Sequence, residues 1–272
     1  MKIIYCFLFL LFLVACSNEE TIGSAEESDL FETITNQNSR NKTGNLLDSS
    51  AFYADSVIRK YIRETLQTGE KENFTYTIHK AALNPDKFTD AIISVNRLSY
   101  AKQTAVESGH VAQAEKLAYM GPFNAFIFFD GRSNSFSIPV PVPSSPLLPL
   151  DISFANISSN QHKDLVVDFR IRNSSYKEVY FLFNNKPSKV FQWKNFDGLG
   201  KPNSESYAFE FNPGNGPVRD IIVYKAKIEV PKGEIDPFIF KPQILNSQEV
   251  QKKFFYVPAQ GKYFSTKDGP EG

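Results

Sequence analysis

The stretch Pro139-Val-Pro-Val-Pro-Ser-Ser-Pro-Leu-Leu-Pro149 sets the first limit on what this chain can fold into, with five prolines in eleven residues. Each proline removes an amide hydrogen and fixes φ near −65°, which excludes the segment from a helix interior and from the middle of a sheet. It is expected to run extended, as a sheet edge or as a connector between lobes; a proline-rich ligand for a groove is the other use of such a sequence. Because the patterns on its two sides differ, a domain boundary is expected at 139–149.

Upstream, Leu47, Ala51, Ala54, Ile58, Tyr61 and Ile62 recur at the i, i+3, i+4 spacing of an amphipathic helix beginning at Leu46. Asn45 is its expected cap and Gly69 its stop, while Arg59, Lys60, Arg63 and Glu64 make the solvated side. Strands are expected over 73–79, ending at a structural His79, and over 91–95. Two short helices over 97–107 and 111–119 fit the Ala, Lys, Gln and Glu content, with Gly109 and Gly121 as stops. Phe126-Ile-Phe-Phe129 should pair with 135–139 as a hairpin.

Downstream of Leu150 the pattern becomes short alternating segments: 150–156, 165–172, 177–184, 189–195, 206–211, 219–230 and 253–257. Turn residues at 184–188, 197–200 and 212–217 separate them, as in an antiparallel sandwich. The expected fold class is therefore α+β: a small helix/strand N-terminal lobe over 46–138, the connector, an antiparallel β-sandwich-like lobe over 150–260 and a flexible tail over 261–272.

The other end of the chain concerns location. Met1-Lys2 precedes an apolar run from Ile3 to Val14, the length of a signal-peptide core and too short for the ~20 residues that span a bilayer. It ends in Leu13-Val14-Ala15-Cys16, which resembles the lipobox of bacterial lipoproteins. The resemblance implies removal of residues 1–15, a diacylglycerol thioether on Cys16 and an N-acyl chain such as palmitate; an ordinary secretory signal is the alternative. More than one acyl chain makes attachment effectively permanent. Ser17-Asn18-Glu19-Glu20 follows, with no Asp after Cys16, which implies the outer membrane. The acidic pair also resembles the surface-export signal of lipoproteins from the Bacteroidota, implying the cell surface; an ordinary tether in a periplasm-facing protein is the other reading. Residues 16–45 carry acids at 19, 20, 26, 27, 29 and 32 with no basic residue before Arg40, and are expected to form a disordered acidic tether.

With Cys6 in the signal and Cys16 lipidated, the mature chain has neither disulfide nor thiol nucleophile. About 255 residues suffice to bury a core without staples. The 30 basic and 30 acidic residues give no net charge, so nucleic acid is not an expected partner.

Leu83-Asn-Pro-Asp-Lys-Phe-Thr-Asp90 leads into Ala91-Ile-Ile-Ser-Val95, and Asn156-Ile-Ser-Ser-Asn-Gln-His-Lys-Asp164 leads into Leu165-Val-Val-Asp-Phe169. Both resemble degraded FG-GAP repeats, propeller units in which an Asp/Asn-rich loop before Asp-Leu-Val-Val often carries Ca²⁺. Neither loop has the glycine of the intact motif, so no metal is expected. Two such units cannot close a propeller of at least four blades.

His79, His110 and His162 stand singly, and no zinc, nucleophile-elbow or phosphate-loop spacing occurs. No catalytic residue and no cofactor is therefore expected. Phe191 and Trp193 alternate on one side of a strand, beside Lys194 and Asp197. They form either part of the sandwich core or an exposed platform for stacking a glycan. The expected function is a non-catalytic, lipid-anchored binding or scaffolding lipoprotein with an envelope protein partner; the alternative is a surface carbohydrate-binding or carbohydrate-degrading lipoprotein.

Overall fold

The structure, a computed structural model, describes residues 54–86, 88–214, 216–229 and 233–265. The expected signal peptide, Cys16, the expected acidic tether, the helix start at Leu46 with Asn45, Leu47 and Ala51, and the last residues of the expected tail lie outside them. The described residues fall in one compact unit.

The first helix, α1, spans Asp55–Leu66 and turns Ile58 and Ile62 inward, as the spacing predicts. It stops before Gly69: Gln67 takes the left-handed cap conformation at φ 51 and its N–H bonds Arg63 O. The strands β1 (Thr75–Ala81), β2 (Asp90–Asn96), β3 (Gly121–Asp130), β4 (Ser135–Phe136) and β5 (Val140–Ser144) form an antiparallel sheet. Two short helices, α2 (Leu98–Glu107) and α3 (Val111–Lys116), join β2 to β3. The proline-rich segment is thus an edge strand in part, β5 pairing with β3 alone.

The second sheet is a meander of β6 (Asp151–Ala155), β7 (Asp164–Ile171), β8 (Ser174–Phe183), β9 (Lys186–Asp197), β10 (Glu205–Asn212), β11 (Asp220–Glu229), β12 (Gln243–Val257) and β13 (Lys262–Ser265). Between β9 and β10 the ladder shrinks to Asp197↔Glu205 and Phe196↔Ser206, and the sheet folds over at that point. The second half then packs on the first: Phe191 of β9 lies 5.1 Å from Phe254 of β12 and 5.9 Å from Tyr263 of β13, ring centre to ring centre. Together with the helices and first sheet, this is the expected α+β, sandwich-like fold.

The layers explain the long apolar runs. On β2, Ala91, Ile93 and Val95 pack under α1, while Ile92 faces the second sheet. On β3, Ile127 and Phe129 take the helix side and Phe126 and Phe128 the other. On β7, Leu165, Val167 and Phe169 meet the first sheet, and Val166 points into the folded-over half. A strand covered on both faces loses the alternation that marks a half-exposed one. Each large side chain so buried contributes roughly 1.5–3 kcal/mol.

Two segments depart from expectation. Lys262–Ser265, expected within a flexible tail, forms β13 because Tyr263 is buried among the core aromatics. β12 begins at Gln243, well before 253, and none of its residues before Phe254 is buried, so that half of the strand carries little apolar signal in the sequence.

The FG-GAP-like stretches share one device. Asp90 Oδ2 accepts from Leu83 N, seven residues back, at 2.9 Å, and Asp164 Oδ2 accepts from Ile157 N, also seven back, at 3.0 Å. Both acids begin a strand opposite an alanine, Ala81 and Ala155. Asp90 Oδ1 also takes Gly131 N at 3.0 Å, and Asp164 takes Ser158 N and Oγ. Lys163 N bonds Ala82 O at 2.8 Å, tying the two loops together. These carboxylates close their hairpins on backbone donors, in strands that belong to stacked sheets.

Candidate functional site

Ladder register builds a polar row across the second sheet. Asp151 stands opposite Asp168, Asp168 opposite Lys177, and Lys177 opposite Trp193. Partners across a ladder share a face, and Asp168 shares its face with Val166, so the row looks toward the folded-over half. One irregularity adds a fourth polar group. Tyr176 pairs with Lys194 and Ser175 with Phe196, which leaves Asn195 as the extra residue of a bulge. Its Nδ2 donates to Asp168 Oδ1 at 2.7 Å and to Ser175 Oγ at 3.1 Å. Lys177 Nζ reaches both oxygens of Asp168, at 2.8 and 2.7 Å.

Opposite this row lies β10, whose Tyr207, Phe209 and Phe211 fall on alternate positions and therefore on one face. Between them is a cleft of about 520 Å³, closed at one side by Lys241, Pro242 and Ile244. That volume is in the range of small-molecule sites. Lys177 Nζ lies 5.4 Å from the Phe209 ring centre, so the ion pair touches the aromatic wall. Asp168 and Lys177 keep only 25% and 15% of their side-chain surface exposed, and their mutual bonds offset the cost of that burial. At the rim, Lys241 Nζ stands 3.6 Å from Asp151.

Arg170, two residues beyond Asp168 on the same face, also lines the cleft and is 6% exposed. Its guanidinium carbon sits 4.6 Å from the centre of the Phe196 ring, and Nη2 donates to Pro237 O. Burial pulls its pKa down to about 10, against the attraction of Asp236.

The residues singled out from sequence lie beside this cleft, each in a different setting. Phe191 is 5% exposed and belongs to the core, the other reading its alternation allowed. Trp193 is half-buried, edge-on to Phe254 at 5.3 Å and Tyr207 at 6.1 Å. Its Nε1 is buried with no hydrogen-bond partner. Lys194 is turned away, bonding Asp197 at 3.1 Å and Glu205 at 2.9 Å. The two acids hold the Lys194 pKa above its ordinary value, Glu205 most strongly. Asp197 also accepts from Ser174 Oγ at 2.6 Å, and that bond together with Lys194 lowers its pKa. Lys194 and Asp197 therefore brace the bend between β9 and β10.

Among the described residues no group of three or more His, Cys, Asp or Glu is placed to hold a metal ion. His79 Nε2 contacts Ser94 Oγ at 3.0 Å, and burial lowers its pKa. Ser158 Oγ lies 3.3 Å from His162 Nε2 but 2.7 Å from Asp164 Oδ1, so the shorter bond ties the hydroxyl to the carboxylate. Among the described residues no helix is long and apolar enough to cross a membrane.

No family model, curated protein or solved structure matches the chain. The cleft is thus argued from its own chemistry. Asp168, Lys177, Asn195 and Arg170 were not singled out by the sequence reading. Their trace is the polar Asp168 and Arg170 at alternate positions of Leu165-Val-Val-Asp-Phe-Arg-Ile171.

Proposed function

We propose that this chain is a lipid-anchored outer-membrane lipoprotein, facing the cell surface, whose folded module binds a ligand or envelope partner without transforming it. The observation that carries the binding role is the cleft between the Asp168–Lys177 row and the β10 aromatics. An apolar wall facing a few convergent polar groups is the usual make-up of a recognition site. Asp168 receives three hydrogen bonds from Lys177 and Asn195, which suits a fixed recognition group better than a proton acceptor. The anchoring part rests on Leu13-Val14-Ala15-Cys16 and on the acidic Glu19-Glu20 behind it.

A glycan is the ligand class the cleft favours over a protein surface, because the aromatic side chains of Tyr207, Phe209 and Phe211 line it together with hydroxyl-matching Asp, Asn and Ser groups. The deciding experiment is affinity capture from detergent-solubilised membranes, run beside a glycan array with the same protein. Mass spectrometry of Cys16 and protease treatment of intact cells test location. An unmodified Cys16 in the membrane fraction would remove the anchor, and survival of the protein on intact cells would place it facing inward.

A further inference from the structure

The charges that line the cleft do not balance. Arg170, Lys177 and Lys241 line it against Asp151 and Asp168. Lys177 pairs with Asp168 and Lys241 with Asp151, and none of the ion pairs among the described residues includes Arg170. Arg170 is nevertheless nearly buried, and its Nε has no hydrogen-bond partner. A buried cation ordinarily has an anion against it. Here the neighbours are the Phe196 ring, the backbone carbonyl of Pro237 and the carboxylate of Asp236, which attracts the guanidinium without forming an ion pair with it.

We propose that the cleft takes a carboxylate-bearing saccharide, a hexuronate, with its ring against Phe209 and its carboxylate on Arg170. The inference rests on the ligand-binding reading of the cleft and adds the charge of the ligand. A guanidinium is the side chain best shaped to hold a carboxylate. Strand geometry places Arg170 about 7 Å beyond Asp168 on the same face, roughly the span of one pyranose ring. A ring lying on Phe209 then has Asp168 and Asn195 within reach of its hydroxyls and Arg170 at its charged end. Asp168, already matched by Lys177, keeps the middle of the cleft neutral, so the added negative charge is specified at one end only.

The test uses the full lipidated chain in detergent and calorimetric titration with tetragalacturonate and its fully methyl-esterified form, in which each carboxylate is replaced by a neutral methyl ester. The acid should bind at least about tenfold more tightly than the ester, the size expected of one charge-assisted contact. Its advantage should shrink as salt is raised. Arg170→Gln should bring the acid down to the affinity of the ester, with circular dichroism confirming the fold. Phe209→Ala should weaken both. Equal binding of acid and ester by the unaltered protein overturns the hexuronate assignment and leaves the cleft as a neutral glycan site. Failure of both to bind, or binding indifferent to Phe209→Ala, overturns the cleft reading itself.

Discussion

Asp168 and Lys177 face each other across β7 and β8, and the ammonium bonds both carboxylate oxygens, at 2.8 and 2.7 Å. Removing one partner strands the other in a cleft where neither is well hydrated. Lys177→Met is expected to cost about 2–3 kcal/mol by urea unfolding, below the range for a fully buried pair because both side chains keep some exposure. Asp168→Asn combined with Lys177→Met should recover most of that loss. A double variant as unstable as the sum of its parts would show that the two residues act independently.

Asp90 gives a pH prediction. Burial pushes its pKa up to about 6, overcoming the Leu83 and Gly131 N–H bonds that favour the anion. A raised carboxyl pKa means the folded state holds the proton more tightly than the unfolded chain. Its stabilising contribution is full below pH ~4 and is lost as pH rises through ~6. Asp90→Asn lacks this titration, so the stability gap between the native protein and the variant should be larger at pH 4 than at pH 7. Chemical denaturation at the two values checks the sign.

Gly131 is irreplaceable for a steric reason. A Cβ there would overlap the Thr89 carbonyl oxygen, a backbone atom with no rotamer to yield. Gly131→Ala should lower stability by about 2 kcal/mol or more, a drop of roughly 4–8 °C in Tm. Unchanged melting would mean that the loop carrying Thr89 shifts freely.

The layered core separates two leucines. Leu165, 2% exposed between the sheets, should cost about 2–5 kcal/mol when changed to Ala. Leu245, 39% exposed on β12, should cost no more than about 0.5 kcal/mol.

Much of the fold was legible. Ile58 and Ile62 announced α1, and the proline run announced an edge, because helix periodicity and a missing amide are local properties. β13 was missed because Lys262-Tyr-Phe-Ser265 is short, and only long-range packing of Tyr263 against Phe191 and Phe181 holds it. The cleft was less legible still. Phe191 and Trp193 advertised themselves by size, whereas Asn195 became part of the site through a bulge whose position depends on the partner strand. Lys177 acquires its role only when register sets it opposite Asp168. Pairing partners are not written in local spacing.

The position of β7 between two cores has a practical corollary for anyone dividing the gene. A cut within 139–149 leaves one fragment with Ile92, Phe126 and Phe128 uncovered and the other with Leu165, Val167 and Phe169 in the same state. Neither piece would be soluble by itself, but the two surfaces are each other's complement. Co-expressed halves should reassemble into the native module, making this chain a candidate split reporter whose signal is the rejoining of its two sheets.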